Sequence, residues 1–180
     1  MTSPCDITPT QHEVITKGTL RFELWVAKEL CVVPDGQTTN LSPAAVSIRI
    51  TNTGAVPVQL IAADPDALFV RRIWDANRPN SSIDLNQGPE PEDLPSVQVE
   101  LAPDQAWQSA PVEHYMSILA PDILRQTHID GTPLSSQHHL RRDFGLEVQF
   151  SANVNTGKGF VPTQHLLKGA IQSVLVNKDQ

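Results

Sequence analysis

The sequence predicts an all-β fold, an antiparallel sandwich of seven to eight strands with a long, partly helical insertion. Three observations carry this prediction. Several short segments alternate apolar and polar residues with a period of two, the mark of a strand with one buried and one wet face. Turn-forming groups such as Pro34-Asp35-Gly36 and Asn52-Thr53-Gly54 separate those segments. Fifteen prolines against nine glycines disfavour long helices and suit loops and strand edges. No sustained helical periodicity lies between successive strands, which argues against a parallel βαβ sheet.

Residues 1–17 are polar and contain Pro4 and Pro9, so they are read as an N-terminal arm. Residues 18–178 form the single expected domain. Its first strand is LRFELWVA, residues 20–27, with Leu20, Phe22, Leu24 and Val26 on one face and Arg21, Glu23 and Trp25 on the other. Residues 30–33 extend it after a bulge. In residues 46–50, Val46, Ile48 and Ile50 point to the core, and the Asn52-Thr53-Gly54 turn leads to a strand at 58–62. Residues 68–74 place Phe69, Arg71 and Ile73 on one face and Leu68, Val70, Arg72 and Trp74 on the other. A Pro-rich, acidic insertion occupies 78–95. Residues 97–101 alternate cleanly, and Ala102-Pro103-Asp104-Gln105 turns the chain into a short strand from Trp107. A second insertion spans 115–143, where Met116, Ile118, Leu119, Ile123 and Leu124 are spaced as in a short helix, with Pro121 at its first turn. Leu146, Val148, Phe150, Ala152 and Val154 give the longest strict alternation. A turn at 155–159 and a closing strand at 171–176 complete the pattern.

The segments LRFELWV, SIRITNTGAVPVQL, SVQVELAPDQAW, FGLEVQF and LLKGAIQSVLV resemble bacterial immunoglobulin-like β-sandwich domains. The likeness lies in a polar N-x-G turn, here Asn52-Thr53-Gly54, followed by x-P-V-x-L, here Val56-Pro57-Val58-Gln59-Leu60. A G-x-x-S-like element, Gly169-Ala170-Ile171-Gln172-Ser173, precedes the last strand. The arrangement is similar to intracellular proteinase-inhibitor domains and to accessory Ig-like modules. The resemblance implies a sandwich over about residues 18–178, and no inhibitory loop or functional residue is carried over from it.

Net charge is −7, from 13 basic and 20 acidic residues. That sign repels phosphate backbones and anionic lipid, so neither a nucleic acid nor a membrane is expected as partner. No apolar run is long enough to span a bilayer. The start, MTSPCDITPT, lacks a basic and an apolar region, so a cytoplasmic chain is expected unless a leader was removed. Cys5 and Cys31 are accordingly expected as reduced thiols, with a disulfide pinning the arm as the alternative.

No catalytic constellation emerges. There is no G-x-S-x-G elbow, and Gly157-Lys158-Gly159 has the wrong spacing for a phosphate-binding loop. His128, Asp130, His138 and His139 lie within twelve residues and are the candidate metal ligands, although adjacent histidines on an extended chain point apart. Asp64 and Asp66 flank a proline and suit either a turn or oxygen ligation of calcium. Trp25, on the outward face of its strand, and the basic pair Arg141 and Arg142 are the candidate partner-binding residues. The expectation is a non-enzymatic protein-interaction module without cofactor, with proteinase inhibition as one specific version. The alternatives are a metal- or carbohydrate-binding accessory module and a structural subunit of a homo-oligomer.

Overall fold

The computed structural model describes residues 5–35, 38–41, 46–63, 68–76, 80, 82–84, 96–109 and 141–175. Every regular element among them is a strand. In chain order these are β1 (Pro9–Lys17), β2 (Leu20–Ala27), β3 (Glu29–Asp35), β4 (Thr38–Leu41), β5 (Val46–Asn52), β6 (Val58–Ala63), β7 (Leu68–Asp75), β8 (Ser82–Asp84), β9 (Ser96–Leu101), β10 (Ala106–Gln108), β11 (Arg141–Asn155) and β12 (Phe160–Leu175). They make two sheets. The smaller has the order β1-β2-β5-β10; the larger runs β4-β3-β12-β11-β6-β9, with β7 also on β11 and β8 on β7. β6 and β7 follow one another along the same edge of β11: β6 pairs with its last residues and β7 with residues 144–150. All pairings are antiparallel but one, β3 with β12.

The apolar faces meet between the layers. Leu20, Phe22, Leu24 and Val26 of β2 and Val46, Ile48 and Ile50 of β5 oppose Phe144, Leu146, Val148 and Phe150 of β11, all at most 4% exposed. Phe22 and Phe150 meet across the interlayer space, ring centroids 5.9 Å apart. A fully buried side chain of this size contributes about 1.5–3 kcal/mol over the same group in water. The alternation at residues 20–27, 46–50 and 146–154 is therefore the period of a two-layer, largely antiparallel fold.

Several expectations are corrected. Residues 9–17 are not an arm but the edge strand β1, held by β2. Its residues are exposed or half-buried on both faces, so it has no apolar alternation to read. Residues 29–35 do not extend β2; the chain crosses at Lys28 to the other sheet. Strand β7 carries a bulge, because Glu147 pairs with Arg72 but its neighbour Val148 pairs with Val70. One extra residue flips the parity, so Leu68, Val70 and Ile73 all enter the core while Arg71 is exposed. The helix expected within 115–143 has no counterpart among the described residues: positions 141–143 are strand, and the rest of that stretch lies outside them.

The cysteines are also corrected: Cys5 and Cys31 form a disulfide, Cα atoms 5.7 Å apart, within the ordinary span of such a bond. With Val174 they make a small buried cluster of their own. Residues 5–8 lie against the β2–β3 crossing. The Asp6 N–H donates to Glu29 Oε2 (2.7 Å), the Glu29 N–H to the Asp6 carbonyl (2.9 Å) and the Lys28 N–H to the Thr8 carbonyl (3.0 Å). Hydrogen bonds from Thr8, with Lys28 adding less, hold the Asp6 carboxyl below the usual carboxylate range.

Candidate functional site

The feature that stands out chemically is one edge of β12. This strand is sixteen residues long and pairs with β11 over residues 160–174. On its other side β3 takes only residues 172–175. Pro162 has no N–H, so positions of its parity must turn their backbone groups away from β11. The Gln172 N–H, of the same parity, duly donates to the Lys28 carbonyl, and the Lys168 N–H to the Glu13 carboxylate. Gln164 and Leu166 have the same orientation, and no strand among the described residues pairs with them on that side. Gln164 is exposed and Leu166 is 43% exposed, as are its neighbours Phe160 (44%) and Val161 (61%).

The strand facing this edge is β1. β1 carries a bulge around His12 and Glu13 in its pairing with β2, and there it touches β12. Glu13 caps Lys168, and the His12 ring sits 3.6 Å from where a side chain on Gly169 would begin. A Cβ at Gly169 would also lie 3.0 Å from the side-chain ends of Leu24 and Val26, so the layers approach closely there and a larger residue would have to push those side chains aside. From this closed point the seam opens toward Lys17 and Val161, into a hollow of about 250 Å³. Lys17, Leu20, Phe22, Val154, Thr163 and His165 are among its lining. The His165 ring rests on Phe22, centroids 4.4 Å apart, and its Nε2 shares a hydrogen bond with Thr163 Oγ1 (2.6 Å). Burial, with Lys17 nearby, pushes His165 below the ordinary histidine value. Burial does the same to His12.

The residues singled out in the sequence are not brought together. Trp25 is half-buried on the outward face of the small sheet, level with Gln11 and Ser47, and its Nε1 is buried without a hydrogen-bond partner. Next to it Glu23 accepts from Gln11 Nε2 (2.8 Å) and faces Arg49 at 3.9 Å. Arg141 and Arg142 stand in β11 opposite Val174 and Ser173. His128, Asp130, His138 and His139 lie outside the described residues, as do Asp64 and Asp66. Among the described residues no three His, Cys, Asp or Glu side chains cluster as a metal group, and no helix is long and apolar enough to cross a membrane. On the outer face of the large sheet Arg72 bridges Glu147 (3.2 Å) and the Trp74 ring (5.2 Å to the centroid). The Trp74 indole lies where a Cβ of Gly145 would be.

Sequence reasoning missed the β12 edge because residues 160–170 show no clean alternation. Their inward positions are Val161, Thr163, His165, Leu167 and Gly169, and an apolar Leu166 faces out. The usable signal was Pro162 in a run otherwise fit for a strand, which points to an edge.

No known protein family matches the chain, and no curated protein does. Among solved structures it is similar to the major subunit of aggregative adherence fimbriae type I from Escherichia coli, at 11% sequence identity and a TM-score of 0.35. The match covers 92% of this chain and 100% of that one. None of these comparisons connects the chain with proteinase inhibitors.

Proposed function

We propose that this chain is a non-catalytic structural subunit, an immunoglobulin-like sandwich that joins a neighbouring polypeptide by strand addition at the open edge of β12. The observation that supports this is the backbone of Gln164 and Leu166, outward-facing, exposed and without a strand partner among the described residues, beside exposed Phe160, Val161 and Leu166. An unpaired edge with apolar neighbours is a template for main-chain pairing. Two copies that met by this edge would be related by a two-fold axis, which accommodates the homo-oligomer reading. The Cys5–Cys31 bond supports an oxidising compartment as the place of action, in place of the cytoplasm expected from the sequence.

The test is Gln164→Pro. Its N–H points out of the β11 pairing, and Pro162 two residues earlier already occupies an equivalent position, so the fold tolerates the change while the edge loses a donor. Light scattering over a concentration series, with a pull-down from native extract, should show an assembly that the variant lacks. An assembly unchanged by Gln164→Pro would overturn the reading.

A further inference from the structure

The open end of the seam between β1 and β12 is a hollow of about 250 Å³ whose lining includes apolar side chains, His165 and Lys17. We infer that it receives an extended, alternately apolar segment of a partner protein bearing an acidic residue, with one apolar side chain of that segment seated in the hollow over Phe22 and His165. This rests on the strand-addition reading above.

The argument starts from pairing. A strand hydrogen-bonded to Gln164 and Leu166 turns every second side chain inward. On the inward side, next to Thr163 and His165 of β12, the hollow is lined by Leu20, Phe22, Val154 and Val161. A hollow of about 250 Å³ lies below the roughly 300–1,000 Å³ of sites for drug-sized molecules, so it suits a side chain better than a free ligand. The outward side chains of the same strand would lie beside Leu166, and they too gain by being apolar. The seam closes at Glu13 and Lys168, which sets where the incoming strand must end.

Charge sets the rest. The chain carries −7 overall, yet the lining of the hollow includes Lys17 and no carboxylate. The nearest acidic group on β1, Glu13, already accepts the Lys168 N–H. A segment with an aspartate or glutamate beside its apolar residue answers Lys17, whereas a basic one meets it with like charge.

The probe is a labelled ten-residue peptide of alternating valine and threonine, with a central leucine and an aspartate at each end. A second peptide carries lysine ends. Binding is read by fluorescence anisotropy on the disulfide-bonded chain. The acidic peptide should bind and the basic one bind less tightly. Gln164→Pro should weaken the acidic peptide by about twofold to tenfold, as loss of a main-chain hydrogen bond implies. Val161→Trp, which fills the mouth, should also abolish binding. Lys17→Glu should reverse the preference between the two peptides by about threefold or more. Circular dichroism and melting of each variant keep a folding failure from being counted as a binding one. If Gln164→Pro weakens binding but Val161→Trp and Lys17→Glu leave it unchanged, strand addition stands and the slot is wrong. If neither peptide binds while the full chain still self-associates through the β12 edge, the slot is again wrong and the subunit reading survives.

Discussion

At the scale of single residues, Asn52 does the most with one side chain. It is fully buried, and its Nδ2 donates to the carbonyls of Val56 (2.8 Å) and Leu101 (2.9 Å) while its Oδ1 accepts the Gly54 N–H (3.0 Å). Its own N–H donates to the Gln105 carbonyl and its carbonyl accepts from Asp104, which sits at φ 67°. One amide thus fastens the turn after β5 to the turn after β9. Asn52→Ala removes the donor to the buried Leu101 carbonyl and the bond to the Val56 carbonyl at the surface, and should cost about 1–3 kcal/mol, read from urea unfolding. Asn153→Ala, on an exposed position of β11, should stay within about 0.5 kcal/mol. The Asn52-Thr53-Gly54 turn was legible because those residue types suit tight backbone. Its clamp was not, because the decisive partner, Leu101, is distant in sequence and a local pattern carries no information about it.

At the scale of elements, the sequence located β2, β5, β6, β7, β9, β10, β11 and the end of β12. What it missed breaks the two-residue period for a physical reason. β1 is an edge strand exposed on both faces; β7 has its parity reversed by a bulge; the first half of β12 borders the open seam, where Thr163 and His165 replace apolar residues. The candidate site fell in that last stretch and was therefore not read. The disulfide was only the alternative reading because pairing depends on residues 5–8 folding back on the start of β3, which composition does not encode. It closes a loop with a sequence separation of 26, worth about 3–4 kcal/mol through the entropy of the unfolded chain. Reducing agent should lower the urea midpoint of the natural chain by a corresponding amount. A Cys5→Ser/Cys31→Ser variant should start lower and not respond to reductant.

At the scale of the whole molecule, the two histidines along the β1–β12 seam link stability to pH. Burial holds both His12 and His165 below the ordinary value near 6.5, with Lys17 adding to the effect at His165. The folded chain therefore binds fewer protons at these rings than the unfolded chain does. Their contribution to stability is fully present above about pH 6.5 and drains as pH falls from there toward the depressed folded values. Urea midpoints should drop between pH 7.5 and 5.5, and a His12→Gln/His165→Gln variant should flatten that slope. The only parallel pairing among the described residues, Cys31 beside Val174, adds a consequence in time. β3 leaves the ribosome long before β12, the strand that must lie between it and β11, has been translated. Until then the large sheet is two separate halves, each with a bare flank, and a nascent chain stalled before residue 160 would present those flanks to chaperones or to other nascent copies.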